Sequence, residues 1–81
     1  MQLNYTVNGV VNNSTIPYMT GFIMKDGSKQ VIANIGHTYT SSGEPKAYCN
    51  SYFSQYIDYS EIDSLIFVTL SSMEEIVVPI N

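Results

Sequence analysis

The sequence predicts an all-β protein, a small antiparallel β-sandwich of six or seven short strands with one short helical turn near 58–63. Three observations carry that prediction. Apolar residues alternate with polar ones at period 2 over most of the chain. Turn dipeptides and Gly/Ser/Thr-rich stretches cut the pattern into pieces of strand length. No segment makes a convincing long helix.

The elements follow in order. In "LNYTV", Leu3, Tyr5 and Val7 alternate with polar residues, and Asn8-Gly9 accepts the positive φ angles of a tight hairpin turn. "NNST" and Pro17 punctuate the chain. "YMTGFIM" (18–24) is apolar on both parities, as in a strand covered on two faces. It ends at Asp26-Gly27, the clearest two-residue hairpin signal. The return strand "KQVIANI" (29–35) places Val31, Ala33 and Ile35 on one face. "GHTYTSSGEP" (36–45) reads as a loop closed by Pro45. "AYCNSYFSQYI" (47–57) has helical apolar spacing but Tyr, Phe and Cys among Asn and Ser, which form strands better than helices. A strand is the favoured reading. "SLIFVTL" (64–70) is apolar on both faces and predicts a central strand. "SSME" (71–74) is a short loop, and "EIVVPI" (75–80) alternates Ile76, Val78 and Ile80 with Glu75, Val77 and Pro79. Pro79 cannot donate to a ladder, which puts it at an edge or a strand end. The sandwich expected is of the immunoglobulin-like kind, filling 1–81 as a single domain without internal repeats.

Composition narrows the function. At 81 residues there is room for one modest core. Only 12 % of residues are charged, about half the usual share, and Ser, Asn, Thr and Tyr take their place. Such a surface suits extracellular β domains. Lys25, Lys29 and Lys46 are the only cations and the net charge is −4, so the clustered positive charge that phosphate backbones or anionic lipids require is missing. Nucleic acid is excluded as a partner. A single cysteine, Cys49, rules out an internal disulfide and a thiolate-rich zinc site, and among aromatics it reads as a buried small hydrophobe. The longest aliphatic and aromatic run is "LIFV" (65–68), so no segment inserts into a membrane as a helix, and the N-terminus lacks the pattern of a signal peptide. The expected setting is the extracellular face of the cell membrane as part of a longer chain, or the cytoplasm if Met1 is the true start.

Three carboxylates, Asp58, Glu61 and Asp63, fall within "IDYSEID". Asp58 and Glu61 stand at capping-box spacing: Asp58 accepts from the free N–H groups of one helical turn, and Glu61 reaches back to Asp58. Ile62 then points inward, Asp63 is solvated, and Leu65 begins the strand. A calcium loop would need further oxygen ligands at fixed spacing, and a carboxylate pair for hydrolysis would need a walled pocket. Asp26, Gly27, Asp58 and Glu61 are therefore read as structural turns. His37, the only histidine, lacks a nucleophile and an orienting acid. No enzyme, cofactor or metal site is expected.

At this point the chain resembles a known family. "GFIMKDGSKQ", a strand entering an Asp-Gly turn, is followed after a Ser/Gly loop by "YFSQYIDYSEIDSLIF" and a closing short hairpin. That order is similar to the small extracellular β-sandwich domain at the C-terminus of membrane-anchored, anti-sigma-factor-like proteins of Gram-positive bacteria. Phe53, Ser54, Ile57, Asp58, Ser60, Ile62 and Ser64 match its aromatic strand, turn and following strand. The resemblance covers about residues 18–80. It departs at Asp63, where a basic residue is common, and at Ser71-Ser72, where a Gly is. It implies an extracytoplasmic sensing or interaction module without catalytic residues.

The candidate contact residues are tyrosines. Tyr48, Tyr52 and Tyr56 share one parity of the 47–57 strand and would form a row on one face. That row suits a peptide strand, a glycan or another protomer, since Tyr offers rigid contact area and a hydroxyl at low entropy cost. Tyr39, at the tip of the 36–43 loop, is the other candidate. The partner expected is a protein or a cell-surface component. The alternative is a stand-alone structural subunit that forms a homo-oligomer through sheet faces or edges.

Overall fold

The computed structural model describes residues 2–9, 12, 14–41, 46–54 and 58–80. Within them, seven strands form two antiparallel sheets packed as a sandwich. The strands are β1 (Gln2–Asn8), β2 (Tyr18–Met24), β3 (Lys29–Val31), β4 (Asn34–Ser41), β5 (Lys46–Phe53), β6 (Ile62–Val68) and β7 (Ile76–Pro79), with a 3-10 turn at Tyr59–Glu61. One sheet has the order β1-β5-β4 and the other β3-β2-β6-β7. In chain-order letters this is A-E-D over C-B-F-G, whereas an immunoglobulin constant-type domain is A-B-E-D over C-F-G. Here β2 leaves the first sheet and lies between β3 and β6.

That placement corrects the first turn. Gly9 has a positive φ of 120°, yet Asn8-Gly9 does not fold β1 back on β2. Instead β1 pairs with β5, setting Leu3, Tyr5 and Val7 opposite Ser51, Cys49 and Ala47. The half-buried row of β1 thus meets a row of small inward residues, and the chain crosses to the other sheet before β2.

The β2–β3 hairpin turns at the expected place but over three residues, not two. The Gly27 N–H donates to the Met24 carbonyl at 2.9 Å and the Met24 N–H to the Ser28 carbonyl at 2.8 Å. Gly27 closes the loop with φ 89°, the positive-φ position where glycine carries no steric penalty.

Residues 29–35 are not one strand. The chain leaves the four-stranded sheet after Val31 and enters the three-stranded sheet at Asn34. Ile32 closes the core, while Val31 and Ile35 are 76 % and 68 % exposed, so the inward face is the reverse of the period-2 expectation. A corner explains the reversal. The Ile32 N–H donates to the Thr20 carbonyl, the Asn34 side-chain amide to the Met19 carbonyl, and the Gly36 N–H to Asn34 Oδ1. A sequence period cannot continue through a residue that changes sheets.

The segment read as a loop from Gly36 is largely strand. β4 pairs with β5 from Asn34 opposite Phe53 to Ser41 opposite Ala47. Thr38, Tyr39 and Thr40 favour extended backbone, and the flanking Gly and Ser masked that signal. Pro45 lies outside the described residues. The ambiguous 47–57 segment is strand, as favoured, over Lys46–Phe53. β6 begins at Ile62, earlier than expected, and is central, between β2 and β7. Asp63 lies within that strand and is only partly exposed.

The main core joins Met19, Phe22, Ile32, Phe53, Ile62, Leu65 and Phe67. A smaller cluster of Ile16, Ala47 and Cys49 lies under Tyr39, and Tyr5 packs on both clusters. Between them sits one polar knot. Ser51 is fully buried, its Oγ 3.0 Å from the Tyr5 hydroxyl and 3.3 Å from the Met19 N–H. The Tyr5 hydroxyl donates to the Pro17 carbonyl. The Ser51 hydroxyl therefore donates to Tyr5 and accepts from Met19, tying β1, β5 and β2 together. A buried donor or acceptor left unpaired costs about 1–3 kcal/mol, so the knot fixes how the two sheets meet.

Candidate interaction surface

The outer face of the three-stranded sheet collects what alternation sends away from the core. β5 contributes Lys46, Tyr48, Asn50 and Tyr52. The register places Asn8, Thr6, Asn4 and Gln2 beside them on β1, in that order. On the β4 side Tyr48 faces Thr40, Asn50 faces Thr38 and Tyr52 faces Gly36. Tyr48 is half exposed and Tyr52 partly exposed.

Side-chain bonds order this face. Gln2 Nε2 donates to Asn4 Oδ1 at 2.7 Å and to Asn50 Oδ1 at 3.0 Å, and Asn50 Nδ2 to Thr38 Oγ1 at 3.4 Å. The amides thus form a short ladder across all three strands. Lys46 Nζ lies 5.6 Å from the centre of the Tyr48 ring, a cation–π contact that restrains the ring. No side chain at Gly36 crowds Tyr52, and a Cβ there would come no closer than 4.0 Å to Tyr52 Cδ2.

The other tyrosines divide. Tyr39 is not at a loop tip. It stands in the middle of β4 opposite Cys49, half-buried against the smaller core cluster, on the inward parity. Tyr56 lies outside the described residues. Tyr48 and Tyr52 are the pair the fold brings to one face. Asn50 shares the parity of the two tyrosines, whereas the companions Gln2, Asn4 and Thr38 were missed because strand pairing sets them there. For Gln2 and Asn4 the signal was the polar parity of β1, which the sequence shows without naming its neighbour.

The four turn residues gather at one end of the sandwich. Asp58 is the N-cap of the 3-10 turn, accepting from the Ser60 N–H at 3.0 Å and the Ser60 hydroxyl at 2.7 Å. Asp26 repeats this geometry, accepting from the Ser28 N–H at 2.8 Å and the Ser28 hydroxyl at 2.6 Å. In each case the serine hydroxyl, then its N–H, holds the carboxyl below the ordinary 3.8, and Lys25 adds a small effect at Asp58. The two turns are joined by the Lys25 N–H donating to the Glu61 carbonyl at 2.9 Å. The Glu61 carboxylate does not return to Asp58, so the capping box is half formed. A 3-10 turn of three residues gives Glu61 no full α-helical turn over which to fold back. Asp63 accepts from the Ser64 hydroxyl.

Among the described residues, no three of His, Cys, Asp and Glu stand together as a metal site. His37 stacks on Tyr18, ring centres 5.0 Å apart and planes 12° apart, linking the two sheets. Burial pushes the Cys49 thiol up, which disfavours the reactive thiolate. Burial also pushes the Tyr5 phenol up, the Ser51 bond partly opposing it.

A second feature lies at the open seam between β1 and β7. Tyr5, Val7, Leu65, Phe67, Ile76 and Val78 line most of an apolar cleft of about 210 Å³. The three-stranded sheet does not extend over β7, which leaves Ile76 and Val78 exposed on the cleft side, and Val77 is exposed on the opposite face. Compared with protein-family models, curated proteins and solved structures, the chain matches none of them.

Proposed function

We propose that this chain is a non-enzymatic interaction module that binds through the outer face of its three-stranded sheet, as the extracytoplasmic part of a bacterial membrane-anchored protein. The observation that carries the reading is the pairing of Tyr48 and Tyr52 with a hydrogen-bonded ladder of amides on an uncovered face. Aromatic area beside fixed polar groups is the composition of recognition surfaces. The exterior setting is supported by the resemblance over residues 18–80 and by the low share of charged residues.

Binding of the labelled chain to Gram-positive cell envelopes tests it. The chain is expected to be retained, and the double variant Tyr48→Ser/Tyr52→Ser to be released while its melting temperature stays near that of the original. No retention, or equal retention of both proteins, would overturn the reading.

A further inference from the structure

We infer that the sheet face takes a neutral, hydroxyl-rich oligosaccharide lying along β5; this rests on the reading of that face as the contact surface. Charge is the first argument. Among the described residues of the face, Lys46 is the single ion, already drawn over Tyr48, and no carboxylate stands beside it. A polyanion would find one cation and a polycation none of its counter-charges. Aliphatic area is small: none of the paired residues named above is aliphatic, and Ile35, exposed at the bulge beside Gly36, lies only at the Tyr52 end. What remains are amides and hydroxyls that both donate and accept, the pairing a sugar hydroxyl needs.

Geometry supplies the second argument. Tyr48 and Tyr52 are four residues apart on one strand, so their stems are about 13 Å apart. That span exceeds one sugar ring and suits a short oligomer. The C–H face of a pyranose packs on a tyrosine ring while its equatorial hydroxyls reach sideways, here to Asn4, Asn50 and Thr38. The ladder bonds hold Gln2 and Asn50 in place before binding, which lowers the entropy cost of ordering them. Gly36 keeps the flank of Tyr52 open for the second ring.

The test uses hexamers of β-1,4-linked glucose and of β-1,4-linked N-acetylglucosamine, an α-1,4-linked glucose hexamer, and polygalacturonate as the anionic control. Amide shifts in the folded chain are followed during titration. At least one neutral hexamer is expected to shift residues of β5 and their neighbours Asn4 and Thr38, with polygalacturonate inert. Tyr48→Ala should weaken binding about tenfold, the loss of one stacked ring, and Tyr48→Phe should retain most of it. Gly36→Leu, whose Cβ would meet nothing closer than 4.0 Å, should block the Tyr52 end. Absence of shifts with every neutral hexamer overturns the inference, as do shifts confined to the β1–β7 cleft or indifference to both Tyr48→Ala and Gly36→Leu. If envelope retention still depends on Tyr48 and Tyr52 while no neutral hexamer binds, the contact face stands and its ligand is a protein.

Discussion

Asp26 and Asp58 occupy the same local device, an Asp whose carboxylate takes the N–H and hydroxyl of a Ser two residues on. Each compensates backbone donors that a tight turn leaves unpaired. Because both carboxyls are held below 3.8 in the folded chain, the unfolded chain binds protons more readily at acid pH. The stability they contribute is complete above 3.8 and drains as pH falls through the lower folded values. Asn at both positions keeps an acceptor oxygen but no titration. The Asp26→Asn/Asp58→Asn variant is therefore expected to melt below the original at neutral pH, and the gap should close on acidification. Melting temperature measured between about pH 6 and pH 2 decides it, and curves that stay parallel throughout would refute the account.

At the scale of elements, β2 and β3 approach closely at Gly21. A Cβ on Gly21 would lie 2.3 Å from the Gln30 carbonyl oxygen, a backbone atom that cannot rotate away. Gly21→Ala must push β3 off β2, and overpacking of this kind costs about 1–3 kcal/mol. Urea unfolding should register that loss. Hydrogen exchange should quicken at the Ile32 amide, which donates to the Thr20 carbonyl. Full stability with unchanged protection at Ile32 would show that β3 yields freely. How far the sequence could be read depends on the same joints. The strands with an unbroken local pattern, β1, β2, β5, β6 and β7, are legible because each stays in one sheet. β3 and β4 are not, because the switch at Ile32–Ala33 reverses parity, and Gly36 lies inside a strand rather than at a turn. The candidate surface was half legible for the same reason. Tyr48 and Tyr52 share a strand parity that can be counted, whereas the place of Gln2 and Asn4 beside them depends on pairing across more than forty residues.

For the whole molecule, the question is why a sandwich with an exposed, apolar outer strand would stay single. Ile76, Val77, Val78 and Ile80 carry no charge to deter another strand, and such an edge invites pairing. The backbone supplies the deterrent. The Ile80 N–H donates to the Asp63 carbonyl, which fixes the alternation along the register of β6 and β7. Residues 76, 78 and 80 then turn their peptide groups toward β6, and Val77 and Pro79 turn theirs outward. Pro79 thus sits where an N–H would have met an incoming strand, and its ring closes that position without disturbing the ladder inside. This opposes self-assembly through β7. Pro79→Thr restores the missing donor and keeps β propensity. The variant is expected to self-associate as concentration rises, while the original chain keeps a monomer mass in light scattering over the same range. An original chain that already assembles, or a variant that stays monomeric, would place the control of association somewhere other than this edge.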